Sequence, residues 1–147
     1  MVRFFLIEIL AMILKDNEMK KIPSIEETQA AATTLVEACY GRAYNAGWWH
    51  DAETGEPRER PIPELLCLIH SEISEALEGY KKDCMDEKLP HRKMLEVELA
   101  DAVIRLLDTA GGLGLDIPGA LVEKMVYNET REDHTIESRL KQGGKRI

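Results

Sequence analysis

An all-α protein, a bundle of four core helices in one domain, is what this sequence predicts, and three observations carry that reading. Aromatic residues make up only 5% of the chain while Ala, Leu, Ile and Glu abound, a composition that suits helices better than a sandwich or barrel. Four segments place apolar residues at three-and-four spacing, the period of an amphipathic helix. Between them lie short runs of turn and charged residues. At 147 residues the chain has the size of a single domain, long enough to bury roughly two-thirds of its unfolded surface.

Ser24-Ile25-Glu26-Glu27 opens the first helix as a Ser-x-x-Glu capping box, in which two side chains satisfy two free amides. That helix is predicted over residues 25–45, and Gly47 stops it. The stretch WHDAETGEPRERP, residues 49–61, reads as a loop. Pro63 then starts a second helix, where its missing N–H costs nothing, and the helix runs to about Lys82 with Leu65, Leu66, Leu68, Ile69, Ile73, Ala76 and Leu77 on its apolar face. After a polar link, Pro90 is expected to begin a third helix that carries Met94, Leu95, Val97, Leu99, Val103, Ile104, Leu106 and Leu107. Gly111, Gly112 and Gly114 are expected to end it. Asp116 caps a fourth helix with Pro118 in its first turn, extending to Tyr127 or Arg131.

Both ends fall outside this regular pattern. Residues 1–20 form an apolar extension whose run VRFFLIEILAMIL is interrupted by Glu8, has no small-residue cleavage site after it, and is too short to span a bilayer. It reads as an added helix, or as sequence upstream of a start at Met19. Residues 135–147 are a basic polar tail, so the central domain is placed at residues 21–134.

The net charge of -8 argues against a nucleic-acid backbone as partner, because surfaces that bind one are normally basic. No membrane partner is expected either. Cys39, Cys67 and Cys84 show no CxxC pair and no zinc spacing, and are expected to be reduced thiols of a cytoplasmic protein.

Chemistry is carried by two carboxylate pairs. Glu72-Ile73-Ser74-Glu75 lies on the second helix and Glu98-Leu99-Ala100-Asp101 on the third, each pair occupying neighbouring sites of one helix face. One such pair alone usually marks a solvated face. Two of them sit here among Ile73, Ala76, Leu77, Leu99, Ala102 and Val103, on helices that must bury themselves. If both face one groove, each pair of charges repels by roughly 3 kcal/mol at ~5.5 Å and an effective dielectric of ~20. A divalent cation relieves that repulsion. Oxygen donors without His or Cys select a hard ion, Mg²⁺ or Mn²⁺, and Mg²⁺ is commonly shared between carboxylates and substrate phosphates.

On the predicted fourth helix, Lys124, Asn128 and Arg131 stand at i, i+4 and i+7, one stripe of donors suited to phosphate oxygens. Tyr44, Asn45, Trp48 and Trp49 cluster where the first helix ends, in a chain poor in aromatics. A ring there can stack on a base, and Asn45 can read a base edge. His50, His70, His91 and His134 form no Glu-x-x-His motif, which counts against a di-iron bundle. Glu78 and Asp108 are candidates to support the same groove.

The order ExxE then ExxD, set in HSEISEALEGYKKD and EVELADAVIRLLDTAGGLGLDI, resembles the second and third core helices of the MazG-like all-α nucleoside triphosphate pyrophosphohydrolases. The likeness covers residues 25–134. It implies the MazG-like fold and a hydrolase in which Glu72, Glu75, Glu98 and Asp101 hold Mg²⁺ on the triphosphate while water releases pyrophosphate. By the same resemblance Lys124, Asn128 and Arg131 serve the phosphates, and the base lies near the first helix, where Asn45 and Trp48 are the candidates. It further implies a deoxynucleotide substrate, with a leaning to dATP or dGTP, and a homodimer or homotetramer whose neighbouring chains complete each site. On the first helix Leu35, Val36 and Ala30 to Ala32 offer an apolar stripe for such pairing. Two alternatives stay open, a non-catalytic helical interaction protein and a di-iron carboxylate bundle.

Overall fold

The computed structural model describes residues 21–131, so the apolar extension of residues 1–20, His134 and the basic tail lie outside the described residues. Four helices follow one another: α1 (Ile25–Asn45), α2 (Ile62–Lys82), α3 (Met94–Gly112) and α4 (Ile117–Thr130). Helix α3 is the centre, packed against α2 on one side and α1 on the other, and α4 folds back on α1. No helix among the described residues is long and apolar enough to cross a membrane.

The helix starts follow local chemistry. Ser24 Oγ accepts the Glu27 amide at 3.1 Å and Glu27 Oε2 accepts the Ser24 amide at 2.8 Å, so both halves of the capping box form. Asp116 Oδ1 caps α4 by accepting the Gly119 amide at 2.9 Å. Expectation and structure part at α3, which begins at Met94 and not at Pro90. The buried Asp86 carboxylate accepts the amides of Lys88 and Leu89, and the Asp86 and Met94 amides bond to Arg92 and Cys84 carbonyls. This closed turn consumes the segment that a longer helix would have needed.

The glycines end α3 as expected: Gly111 and Gly112 are its last two residues, and Gly114 follows with a φ of +65°. Two of them have a second part. A Cβ on Gly111 would collide with the Tyr40 side chain, and one on Gly112 with the Trp49 ring. Bare backbone at these sites lets α1 and the loop of residues 46–61 close onto α3.

The interior is thin. Its buried apolar residues are Ala32, Trp49, Leu65, Ala76, Ala102, Leu107, Ala110 and Val122, and no large side chain among the described residues is completely enclosed. On α1, Ala32 is buried and Val36 half-buried, while Ala30, Ala31 and Leu35 are exposed, so the expected pairing stripe is partly used inside the chain. Exposed apolar residues concentrate elsewhere. Ile62, Leu66, Ile73, Leu77 and Tyr80 run along one side of α2, and Leu99, Val103 and Leu106 along one side of α3.

Candidate metal centre

Where α2 and α3 meet, the buried positions are acidic. Glu72 is 6% exposed and Glu98 8%, flanked by Leu65 and Ala76 on α2 and Ala102 on α3. Asp101, one turn along from Glu98, is half-buried. Carboxylate oxygens of Glu72, Glu98 and Asp101 all lie within 4.8 Å of one another. Three of the four expected carboxylates are thus brought together. Glu75 is exposed one turn along α2, outside this close set, yet its charge still acts on Glu98.

Crowding leaves an electrostatic signature. Burial first, then a hydrogen bond with Glu72 and the charges of Glu75, Glu72 and Asp101, push the Glu98 pKa up from 4.5 to about 7. A cation beside this carboxyl would oppose the shift, because it favours the charged form. The donor set fits a hard divalent ion: three carboxylates in reach of one point, with no His or Cys among the grouped residues. His70, on α2 two residues before Glu72, is exposed.

The positive charge already present comes from a residue that the sequence reading did not single out. Arg105 Nε–H donates to Glu72 Oε1 at 2.5 Å across the helix pair. Its signal was there to be read, since Arg105 stands four residues after Asp101 and seven after Glu98, on the same stripe of α3.

Beside the acidic centre, α1, α2, α3 and both ends of the loop border an open cavity of about 730 Å³, lined by Arg42, Trp48, Arg60, Asp101, Arg105 and Asp108 among others. Trp49 holds the loop here. Its indole N–H donates to Asp108 Oδ1 at 2.6 Å, and Asp108 also pairs with Arg60 at 3.7 Å. The Arg60 guanidinium lies 5.9 Å from the Trp48 ring centroid and 5.1 Å from that of Trp49. Asp108 therefore borders the cavity and ties both Trp49 and the cavity-lining Arg60 to α3. Glu78 does not, being exposed and paired with Lys82.

The remaining candidates separate. Trp48 is exposed and faces the cavity, whereas Asn45 is exposed and lines none of the described cavities. Tyr44 and His50 border a second cavity of about 630 Å³, which Trp49 also lines. Lys124, Asn128 and Arg131 belong to α4, which packs on α1, and none of them lines the cavity beside the acids. Lys124 and Arg131 lie over the Tyr127 ring at 4.4 and 6.0 Å, and Asn128 Oδ1 is buried without a hydrogen-bond partner.

Cys39, Cys67 and Cys84 are free thiols. Comparison with protein-family models, curated proteins and solved structures found no match.

Proposed function

We propose that this chain is a Mg²⁺-dependent nucleoside triphosphate pyrophosphohydrolase of the MazG-like all-α kind, converting an NTP or dNTP to the monophosphate and pyrophosphate. The observation that carries the reading is the approach of Glu72, Glu98 and Asp101 within 4.8 Å at a buried helix seam that opens beside a cavity with an arginine and tryptophan wall. Folding alone gains nothing from three clustered carboxylates, because each repels the others in a poorly solvated place.

In this proposal Glu72, Glu98 and Asp101, with Glu75 at the rim, hold Mg²⁺ or Mn²⁺. When bound, such an ion supplies charge neutralisation on the phosphates and a lowered pKa for water. The chain's own groups do the rest. A carboxylate of this set accepts a proton as the water oxygen bonds to the α-phosphorus, and the bond from that phosphorus to the bridging oxygen breaks with pyrophosphate as leaving group. Trp48 offers its face to the base, and Lys124, Asn128 and Arg131 bind phosphate oxygens. Helix α4 packs on α1, away from the α2–α3 seam, so this last role is assigned to the α4 of a neighbouring chain in a homodimer or homotetramer. Uncovered apolar residues along α2 and α3 suit such pairing. A reducing, cytoplasmic setting suits the free thiols.

Pyrophosphate release from each common NTP and dNTP, measured with and without Mg²⁺, tests the proposal. Metal-dependent release, highest with a purine deoxynucleotide, is expected; no pyrophosphate from any of them would overturn it. The exposed apolar stripes favour one second reading, a helical interaction protein without turnover, and the same assay separates the two.

A further inference from the structure

The polar stripe of α3 is not made of acids alone. Glu98, Asp101, Arg105 and Asp108 follow one another at spacings of three, four and three, which puts a guanidinium in the middle of the row. Arg105 is held at one end only. Its Nε–H bonds to Glu72, whose side chain is 8% exposed, while the Arg105 side chain is 43% exposed. Its terminal N–H groups make no hydrogen bond among the described residues, and the residue lines the cavity that Arg42, Arg60 and Trp48 also line.

We propose that Arg105 is a positioning residue with two alternating partners: Glu72 when no divalent ion is present, and a phosphate group of the ligand once such an ion has taken Glu72 over. The proposal rests on the metal-centre reading given above. One guanidinium hydrogen-bonded to one carboxylate leaves Glu98 and Asp101 uncompensated. Glu72, Glu98 and Asp101 would together hold a divalent ion, whose double charge would compete with Arg105 for Glu72 and repel the guanidinium. Long, half-exposed and anchored at a single N–H, the side chain is free to turn its planar fork towards the cavity. There the fork matches the oxygens of a phosphate chain. Arg105 thus opposes the ion in the ligand-free protein and joins it when a polyphosphate is bound. A residue that merely orients Glu72 would help the ion in both states.

This difference in sign is the test. Mn²⁺ binding to the metal-free full chain is followed by the electron paramagnetic resonance of free Mn²⁺ for wild type, Arg105→Gln and Glu98→Gln. Tripolyphosphate binding at saturating Mn²⁺ is then measured by calorimetry. Arg105→Gln should bind Mn²⁺ about fivefold more tightly than wild type, the worth of a half-exposed ion pair. The same variant should bind tripolyphosphate about tenfold more weakly, as expected for one lost charge-assisted hydrogen bond. Unchanged or weaker Mn²⁺ binding by Arg105→Gln overturns the proposal, and so does unchanged tripolyphosphate binding. If wild type binds no Mn²⁺, or binds it no better than Glu98→Gln does, the metal-centre reading itself falls and takes this proposal with it. Should Arg105→Gln fail to fold by circular dichroism, Arg105→Met keeps the aliphatic stem and must show the same two shifts.

Discussion

Helix α2 treats two of its sides in opposite ways. Along the seam with α3 it buries a carboxylate, Glu72, between Leu65 and Ala76; a quarter turn or so away, Ile73 at 48% and Leu77 at 52% exposure face outward. Helix α3 repeats the inversion, with Glu98 buried and Leu99, Val103 and Leu106 exposed. An ordinary amphipathic helix does the reverse, because apolar burial contributes about 25 cal/mol per Å² and charge burial costs far more. Within the chain, Arg105 offsets only part of the buried charge; the proposed cation and a covering surface would compensate the two sides.

Replacing one acid of the seam is the most forceful way to break this comparison. Glu98→Gln keeps the shape and deletes a charge, so helicity by circular dichroism should persist while the proposed pyrophosphate release falls on the order of 10²-fold or more, since even residues that only orient metal ligands cost 10–100-fold when changed. Wild-type turnover in this variant at saturating Mg²⁺ would remove the seam from the chemistry. The opposite side is attacked by Leu77→Glu, which puts a charge on the exposed stripe of α2. Light scattering should then move from an oligomer to the monomer mass of 16.7 kDa, with loss of activity. Full activity at that mass in wild type would show that the apolar side needs no partner.

A third change leaves both sides alone and probes the seat of the loop on α3. Gly112→Ala would drive a methyl into the Trp49 ring, costing about 1–3 kcal/mol in a urea titration by overpacking and disturbing the indole bond to Asp108. Unchanged stability would mean that Trp49 is not seated on α3.

The smallest effect sharpens the account of the seam itself. Glu98 in the fold has a pKa of about 7, above its ordinary 4.5, so between these values the folded chain holds a proton that the unfolded chain has released. Stability from this source is complete below pH 4.5 and is lost as pH rises through 7. Metal-free protein should therefore melt at a lower temperature at pH 8 than at pH 5.5, by a few degrees, since ~1 kcal/mol moves the midpoint of a domain this size by ~4 °C. Added Mg²⁺ should restore the midpoint at pH 8, and Glu98→Gln should abolish both responses. A flat melting profile in metal-free wild type would contradict the crowded seam.

Helix identity and most helix ends were legible in the residues, because each rests on chemistry within a few positions. The Ser24 and Glu27 box, Asp116 before Pro118, and apolar spacing of three and four all act locally, and the structure agrees with them. The start of α3 was not legible, since Asp86 closes its turn through bonds that compete with a helix beginning at Pro90. The pairing of Glu72 with Glu98 and Asp101 could be anticipated from two motifs on successive apolar helices. What those motifs left open was which carboxylates converge, and tertiary packing drew in three while leaving Glu75 at the rim.

By itself, then, the order of residues determined four helices, their caps and the presence of acidic stripes, since these are set by the backbone's period and by neighbours in the chain. The packing of the helices settled that Arg105 reaches across to Glu72, that Trp49 ties the loop to Asp108, and that Gly111 and Gly112 allow close approach besides ending α3. These depend on which helices meet and at what distance. Arg105 and Glu72 are 33 positions apart, and Trp49 and Asp108 are 59. No local rule spans such separations, because the partner of a side chain at that range is chosen by the packing of whole helices.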